Sequence, residues 1–322
     1  MVGPSLRAYG LTVPLDGPLH AQRDLIASLP DLGYTDVWSS EAGGADAFTP
    51  LALAAAWAPA LRLGTAIVPA FTRAPATIAQ SAAALADAAP GRVAIGIGTS
   101  SEVIVSRWNG LPFERPYQRV RDVVRFLRAA LAGERVSHAY ETFTVDGFRL
   151  LRVPDVPPQL LVAALRPGML RLAGREADGA VLNWLSAEDV ATVAPYVGDK
   201  EIVARIFVAP TPDPAVARRV ARAAIATYLT VPVYRAFHEW LGRGPALAAM
   251  WTAWEAGDRR AAAAAVPDDV VDALVVHGPP DACRDHIRRY VDAGVTTPVL
   301  ALLPVPGDPA DHVRALAPSR SP

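Results

Sequence analysis

Short, almost continuously apolar runs alternate with amphipathic helical stretches along the whole of this sequence, and that alternation leaves few folds open. A strand followed by a helix returns parallel to the next strand, and a parallel strand covered on both faces has no solvent side to mark with polar residues. Eight such runs stand out, at residues 8–13, 36–39, 62–68, 92–97, 159–163, 179–182, 202–208 and 298–302. Eight βα units predict an α/β fold, a (β/α)8 TIM barrel. A length of 322 residues suits one barrel domain spanning 1–322. Three stretches are longer than ordinary connections and are expected as insertions, near 99–115, 136–158 and 231–277, the last helical in composition and rich in Ala and Trp. The tail from Pro304 onward, rich in Pro and Ala, is expected to fray.

The helices between the strands carry their own signals. In 116–131, Val120, Val123, Val124, Leu127 and Leu131 recur at helical spacing, Pro116 suits the first turn, and Gly133 suits the stop. Gly278 and Gly294 bracket another helix with Cys283, Ile287, Tyr290 and Val291 inward, which makes Cys283 core filler. It is the lone cysteine, so an internal disulfide framework and a cysteine-based zinc site are both excluded, and a reducing, cytoplasmic setting is expected. The beginning, MVGPSLRAYG, lacks the pattern of an export signal. Residues 51–71 are apolar, but Pro59, Arg62, Gly64 and Pro69 interrupt them, so no membrane span is expected. With 31 basic against 32 acidic residues, nucleic acid is not an expected partner. Lys200 is the only lysine and precedes a strand, at the end of the barrel where chemistry is not done, which counts against a Schiff-base lyase or aldolase.

Barrel enzymes place their chemistry just after the C-terminal ends of strands. The second run ends in Trp38, Ser39, Ser40 and Glu41, the third in Gly64, Thr65, Ala66, Ile67, Val68 and Pro69, and the fourth in Gly96, Ile97, Gly98, Thr99, Ser100 and Ser101. Small residues, hydroxyls and one carboxylate suit the close approach of a flat ring with a polar tail. The segment GIGTSS could cradle an anionic oxygen or simply turn, and it is not a Rossmann fingerprint, since neither a third glycine nor an immediate helix is expected after it. In LRPGML, Arg166 precedes Pro167 at a helix start, where free amides favour anions; a surface arginine is the plainer alternative. The six histidines show no zinc-ligand spacing, so no metal site is expected. Tyr228, Tyr234, Trp240, Trp251 and Trp254 could wall a substrate site, or pack as core.

Read in order, GYTDVWSSEAGGADAFTPLALAAA, LRLGTAIVPAFTRAPATIAQSAAAL, GRVAIGIGTSS, GLPFERPYQRVRDVVRFLRAALAGERV, LLVAALRPGMLRLAGREADGAVLNWL and VVHGPPDACRDHI resemble the luciferase-like monooxygenase superfamily, and within it the coenzyme F420-dependent branch. The resemblance runs over nearly the whole chain. It implies a luciferase-like barrel and an oxidoreductase that moves a hydride between coenzyme F420 and a small organic substrate. An FMN-dependent monooxygenase is the alternative within the family, and a non-catalytic flavin-binding protein the alternative of another class. It also implies a non-prolyl cis peptide at Ala66–Ile67, in a bulge that backs the deazaflavin, with Ser39, Gly96, Gly98, Thr99, Ser100, Ser101, Ala163, Ala164, Arg166 and Asn183 around the cofactor and Trp184 at the same mouth. Members of the superfamily are often homodimers.

Two departures bear on mechanism. Where several members carry an acidic residue followed by histidine, this chain has Glu41 then Ala42. Where relatives place a glutamate shortly after the glycine loop, it has Ser101, with Glu102 one residue on. Glu41 is left as the catalytic candidate, either orienting substrate or handling a proton; a structural bridging role is the alternative. Substrate identity stays open.

Overall fold

Continuous apolar runs become strands buried on both faces. In the computed structural model, which describes residues 6–318, the eight runs form β1 (Gly10–Thr12), β2 (Asp36–Ser39), β3 (Arg62–Pro69), β4 (Val93–Gly98), β7 (Gln159–Ala163), β8 (Gly179–Asn183), β9 (Glu201–Ala209) and β11 (Thr297–Leu302). Each pairs in parallel with the next, and β11 pairs with both β9 and β1, so the eight strands close into a barrel. The first residues of the stretch read for an export signal, and the last four of the tail, lie outside the described residues. Among the described residues no helix is long and apolar enough to cross a membrane.

Three strands were not expected. β5 (Val136–Ala139) and β6 (Thr144–Phe148) form an antiparallel hairpin inside the 136–158 insertion. The third, β10 (Val275–His277), ends the 231–277 insertion, which otherwise comprises the helices Pro232–Trp240, Gly244–Glu255, Arg259–Ala264 and Asp268–Leu274. Strand β9 pairs with β8 over 201–205 and with β10 over 207–209, so β10 takes the partner's place where β8 stops. The tail does not fray as far as it is described. Asp308 caps the helix Pro309–Ala315 through the Ala310 amide, and Val313 and Leu316 are buried.

Strand alternation sorts the barrel interior into layers. At the floor, where strands begin, Arg62 donates to both oxygens of Glu201 (2.7 and 2.7 Å), to Asp36 (3.2 Å) and to Gln159 (2.6 Å), while Thr297 Oγ1 donates to Glu201 (2.7 Å). Lys200 is at this end too, its ammonium on the Ala177 carbonyl. Above the floor lies an apolar plug of Trp38, Ala94, Leu161, Val181, Val203 and Val299. The Trp38 ring requires glycine at position 64, where an added Cβ would meet the indole at 2.2 Å. A second core joins Trp184 and Phe207 to Leu247, Met250, Trp251 and Val271 of the long insertion. Barrel and insertion therefore pack together at the strands' C-terminal end.

Candidate functional site

Above the plug, the inward parity of the barrel strands brings further residues to the mouth. The series is Thr12 on β1, Ser40 after β2, Ala66 on β3, Gly98 on β4, Ala163 on β7, Asn183 on β8, Arg205 and Phe207 on β9, and Ala301 on β11. The two sides of this mouth differ in kind.

On the β3–β4 side the wall is small. The register of β3 on β4 shifts between Thr65 and Val68, and within this bulge the Ala66–Ile67 peptide is cis. Thr65 Oγ1 donates to the Gly96 carbonyl (3.0 Å) and accepts from the Gly96 amide (2.8 Å), which stitches the bulge to β4. A Cβ at Gly96 would meet the Thr65 carbonyl at 2.2 Å, and one at Gly98 would meet Ile67 Cγ1 at 2.8 Å, so only glycine lets these strands lie so close. Thr99, Ser100 and Ser101 follow, half-buried, with Ser100 in the left-handed region at φ 60°. Contrary to the sequence expectation, a helical segment does follow at once: Val103–Trp108 forms a π-helical turn, and Ser101 Oγ accepts from the Ile104 amide (3.3 Å).

Glu41 lies beside this bulge. Its amide donates to the Ile67 carbonyl (3.1 Å), and its carboxylate takes Arg73 Nε at 2.8 and 3.1 Å and the Ala47 amide at 3.3 Å. It borders a cavity of about 400 Å³ with Ala42, Asp46, Thr72, Arg73, Ile104 and Asn109. Both oxygens are thus engaged in bridging loops. Ser39 is buried, with its hydroxyl on the Ala47 carbonyl, on the strand face opposite Trp38; Ser40 has the inward parity. Likewise Ala163 is inward and Ala164 packs in the core outside the barrel. Arg166 is exposed at the N-cap of the helix Pro167–Glu176, with Pro167 in its first turn and open space around Gly168.

On the β8–β9 side the wall is aromatic and polar. Trp184, left-handed at φ 54°, stacks on Phe207 with centroids 3.9 Å apart and planes at 20°, and Tyr228 adds a tilted ring at 5.1 Å. Asn183 Nδ2 donates to the Tyr234 hydroxyl (2.8 Å), which brings the long insertion to the mouth. Burial pushes the Tyr234 phenol up to about 12, against the opposing pull of Asn183, so it remains an O–H donor. Three buried polar atoms on this side lack any partner, Asn183 Oδ1, Trp184 Nε1 and Arg205 Nε, and Thr12 Oγ1 on β1, beyond β11, is a fourth at the mouth. Buried polar atoms are normally hydrogen-bonded, and Asn183 and Arg205 are register neighbours, so their two orphaned atoms suit a polar ligand.

The residues singled out from the sequence therefore divide. Ala66, Ile67, Gly96, Gly98, Thr99–Ser101 and Ala163 gather at the small wall, Asn183 and Trp184 at the aromatic one, while Ser39 and Ala164 face away. Of the aromatic cluster, Tyr228 and Tyr234 reach the mouth; Trp251 is core, its indole on the Leu229 carbonyl (2.9 Å), and Trp240 stacks on Phe237. Arg205 and Thr12 were missed. The signal for Arg205 was present: it is the only charged residue inside the apolar run 202–208.

Residues 4–297 match the model of the luciferase-like monooxygenase family. A 5,10-methylenetetrahydromethanopterin reductase of Methanolobus tindarius is 26% identical over 82% of this chain and 84% of its own. An F420-dependent glucose-6-phosphate dehydrogenase of Beutenbergia cavernae is 37% identical over 44% of each chain. The structure of the coenzyme F420-dependent tetrahydromethanopterin reductase from Methanopyrus kandleri superposes with a TM-score of 0.81 at 22% identity, covering 97% of this chain and 98% of its own.

Proposed function

The chain belongs to the luciferase-like monooxygenase family, and from that membership we propose that it is an oxidoreductase transferring a hydride between coenzyme F420 and a small organic substrate. The observation that carries this reading is the asymmetry of the mouth, where a wall of Ala66, Gly96, Gly98 and Ala163 faces orphaned polar atoms of Thr12, Asn183 and Arg205. The F420-linked names of the reductase and dehydrogenase relatives point the same way.

The residues present fit a flat ring with an anionic tail. The Ala66–Ile67 bulge and the two β4 glycines would hold the ring without side chains in the way. The amides and hydroxyls of Thr99, Ser100 and Ser101, with Arg166 and the free amides at the start of its helix, would hold the tail. Bound there, coenzyme F420 would supply a two-electron hydride acceptor or donor. The chain's own part is positional: the Trp184–Phe207 stack excludes water from one side, and Tyr234 holds a proton at its hydroxyl oxygen. Glu41 would keep the loop after β2 against the bulge through Arg73, and full turnover in Glu41→Gln would remove it from any proton transfer. FMN is the competing cofactor. Titration of the purified protein with each, followed by quenching of ligand fluorescence, is expected to give at least tenfold tighter binding of F420; equal or tighter FMN binding overturns the proposal.

A further inference from the structure

Strand β9 carries Glu201, Val203, Arg205, Phe207 and Ala209 on its inward face. Arg205 is the one charge placed there above the floor, and among the described residues no carboxylate pairs with it. Its Nε is buried without a hydrogen-bond partner, and its guanidinium lies 4.8 Å from the Phe207 ring. An unpaired guanidinium on the inner face of a barrel is a poor choice for stability, because the charge is partly desolvated and nothing compensates it. It is a good choice for binding, because the fork of N–H donors matches the oxygens of a carboxylate or phosphate.

Its surroundings restrict the ligand further. Asn183 is the register neighbour of Arg205 on β8 and presents an orphaned Oδ1, an acceptor beside a donor. The Tyr234 hydroxyl accepts from Asn183 Nδ2 and has its own hydrogen left to give. Around these polar groups stand Trp184, Phe207 and Tyr228, flat and apolar. We infer that the substrate is a small organic anion: an apolar body packed beside Phe207 and the partly buried Tyr228, its carboxylate or phosphate oxygens taken by Arg205, and a neighbouring hydroxyl or N–H donating to Asn183. This assignment rests on the redox reading above, since it takes the β8–β9 side for substrate and the β3–β4 side for cofactor.

The test uses the cofactor-free protein and calorimetric titration with benzoate, phenyl phosphate and the neutral benzamide. One of the two anions is expected to bind at least tenfold more tightly than benzamide, and which one does so tells carboxylate from phosphate. Arg205→Met abolishes that preference, and Arg205→Lys, which keeps the charge and loses the fork, retains part of it. Because Arg205 makes no ion pair among the described residues and touches only the Phe207 ring, both variants are expected to fold with a melting temperature close to the wild type. Equal or undetectable binding of all three probes, or an unchanged preference in Arg205→Met, overturns the inference. So does displacement of the bound anion by F420, which would give Arg205 to the cofactor. Failure to bind F420 with the anion preference intact instead overturns the redox reading and leaves the anion site standing.

Discussion

Two arginines point into the same barrel, and their surroundings are opposite. Arg62 at the floor donates to Glu201, Asp36 and Gln159, and its guanidinium lies 5.4 Å from the Trp38 ring. Arg205, nearer the mouth, has an aromatic neighbour and an orphaned Nε. Burial by itself would push the pKa of Glu201 up, but the hydrogen bonds and charge of Arg62, with Thr297, hold its carboxyl below the usual range. Asp36 goes the other way, raised by burial that Arg62 only partly offsets. One end of the barrel is thus a closed electrostatic knot, and the other keeps its polar groups open. The first holds the fold together, and the second is where we propose that ligand binds.

The largest expected effect is at the floor. Arg62→Met leaves Glu201 and Asp36 facing each other without a cation, and removing one partner of a buried ion pair costs about 3–5 kcal/mol. Chemical denaturation should show that loss, while F420 affinity of the folded fraction is unchanged; the reverse pattern would break the comparison. Next is Gly96→Ala, whose methyl would have to displace the Thr65 carbonyl. Overpacking of this kind costs about 1–3 kcal/mol, and F420 binding is expected to weaken with it. Third is Arg205→Met, with a stability change expected within about 1 kcal/mol, because only the contact with the Phe207 ring is lost. A large destabilisation there would mean that Arg205 is structural after all.

Titration of the floor gives an effect that depends on pH. Since the folded carboxyl of Glu201 is lowered, its stabilising contribution is present above the unfolded carboxylate value and lost as pH falls through the folded one. Asp36, raised, acts in the opposite sense and shallows the limb. Glu201→Gln should flatten the acid side of the stability profile by at most about 1.4 kcal/mol per pH unit, measured by denaturation from pH 6 downward. An unchanged slope would place the acid sensitivity elsewhere.

The sequence made the barrel legible because its strands are buried on both faces. The run 202–208 needs no periodicity to be recognised, and the observed β9 only extends it by a residue at each end. The hairpin β5–β6 escaped because it is largely exposed and carries no apolar run. Strand β10 escaped because its three residues continue directly from a helix. At the site, the glycines of β4 are readable from their spacing, whereas the inward positions emerge only from strand parity. Counting alternate residues from Trp38 would have exchanged Ser39 for Ser40, and counting from Val203 would have found Arg205.

The division of β9 between two partners reaches beyond this molecule's own chemistry. The long insertion is fastened at its start, through Tyr234 to Asn183, and at its end, through β10 to the last residues of β9. Whatever lies between those moorings can be exchanged in evolution or by design without disturbing the glycine wall opposite. A lineage that rewrites this one excursion changes one wall of the mouth and inherits the other intact.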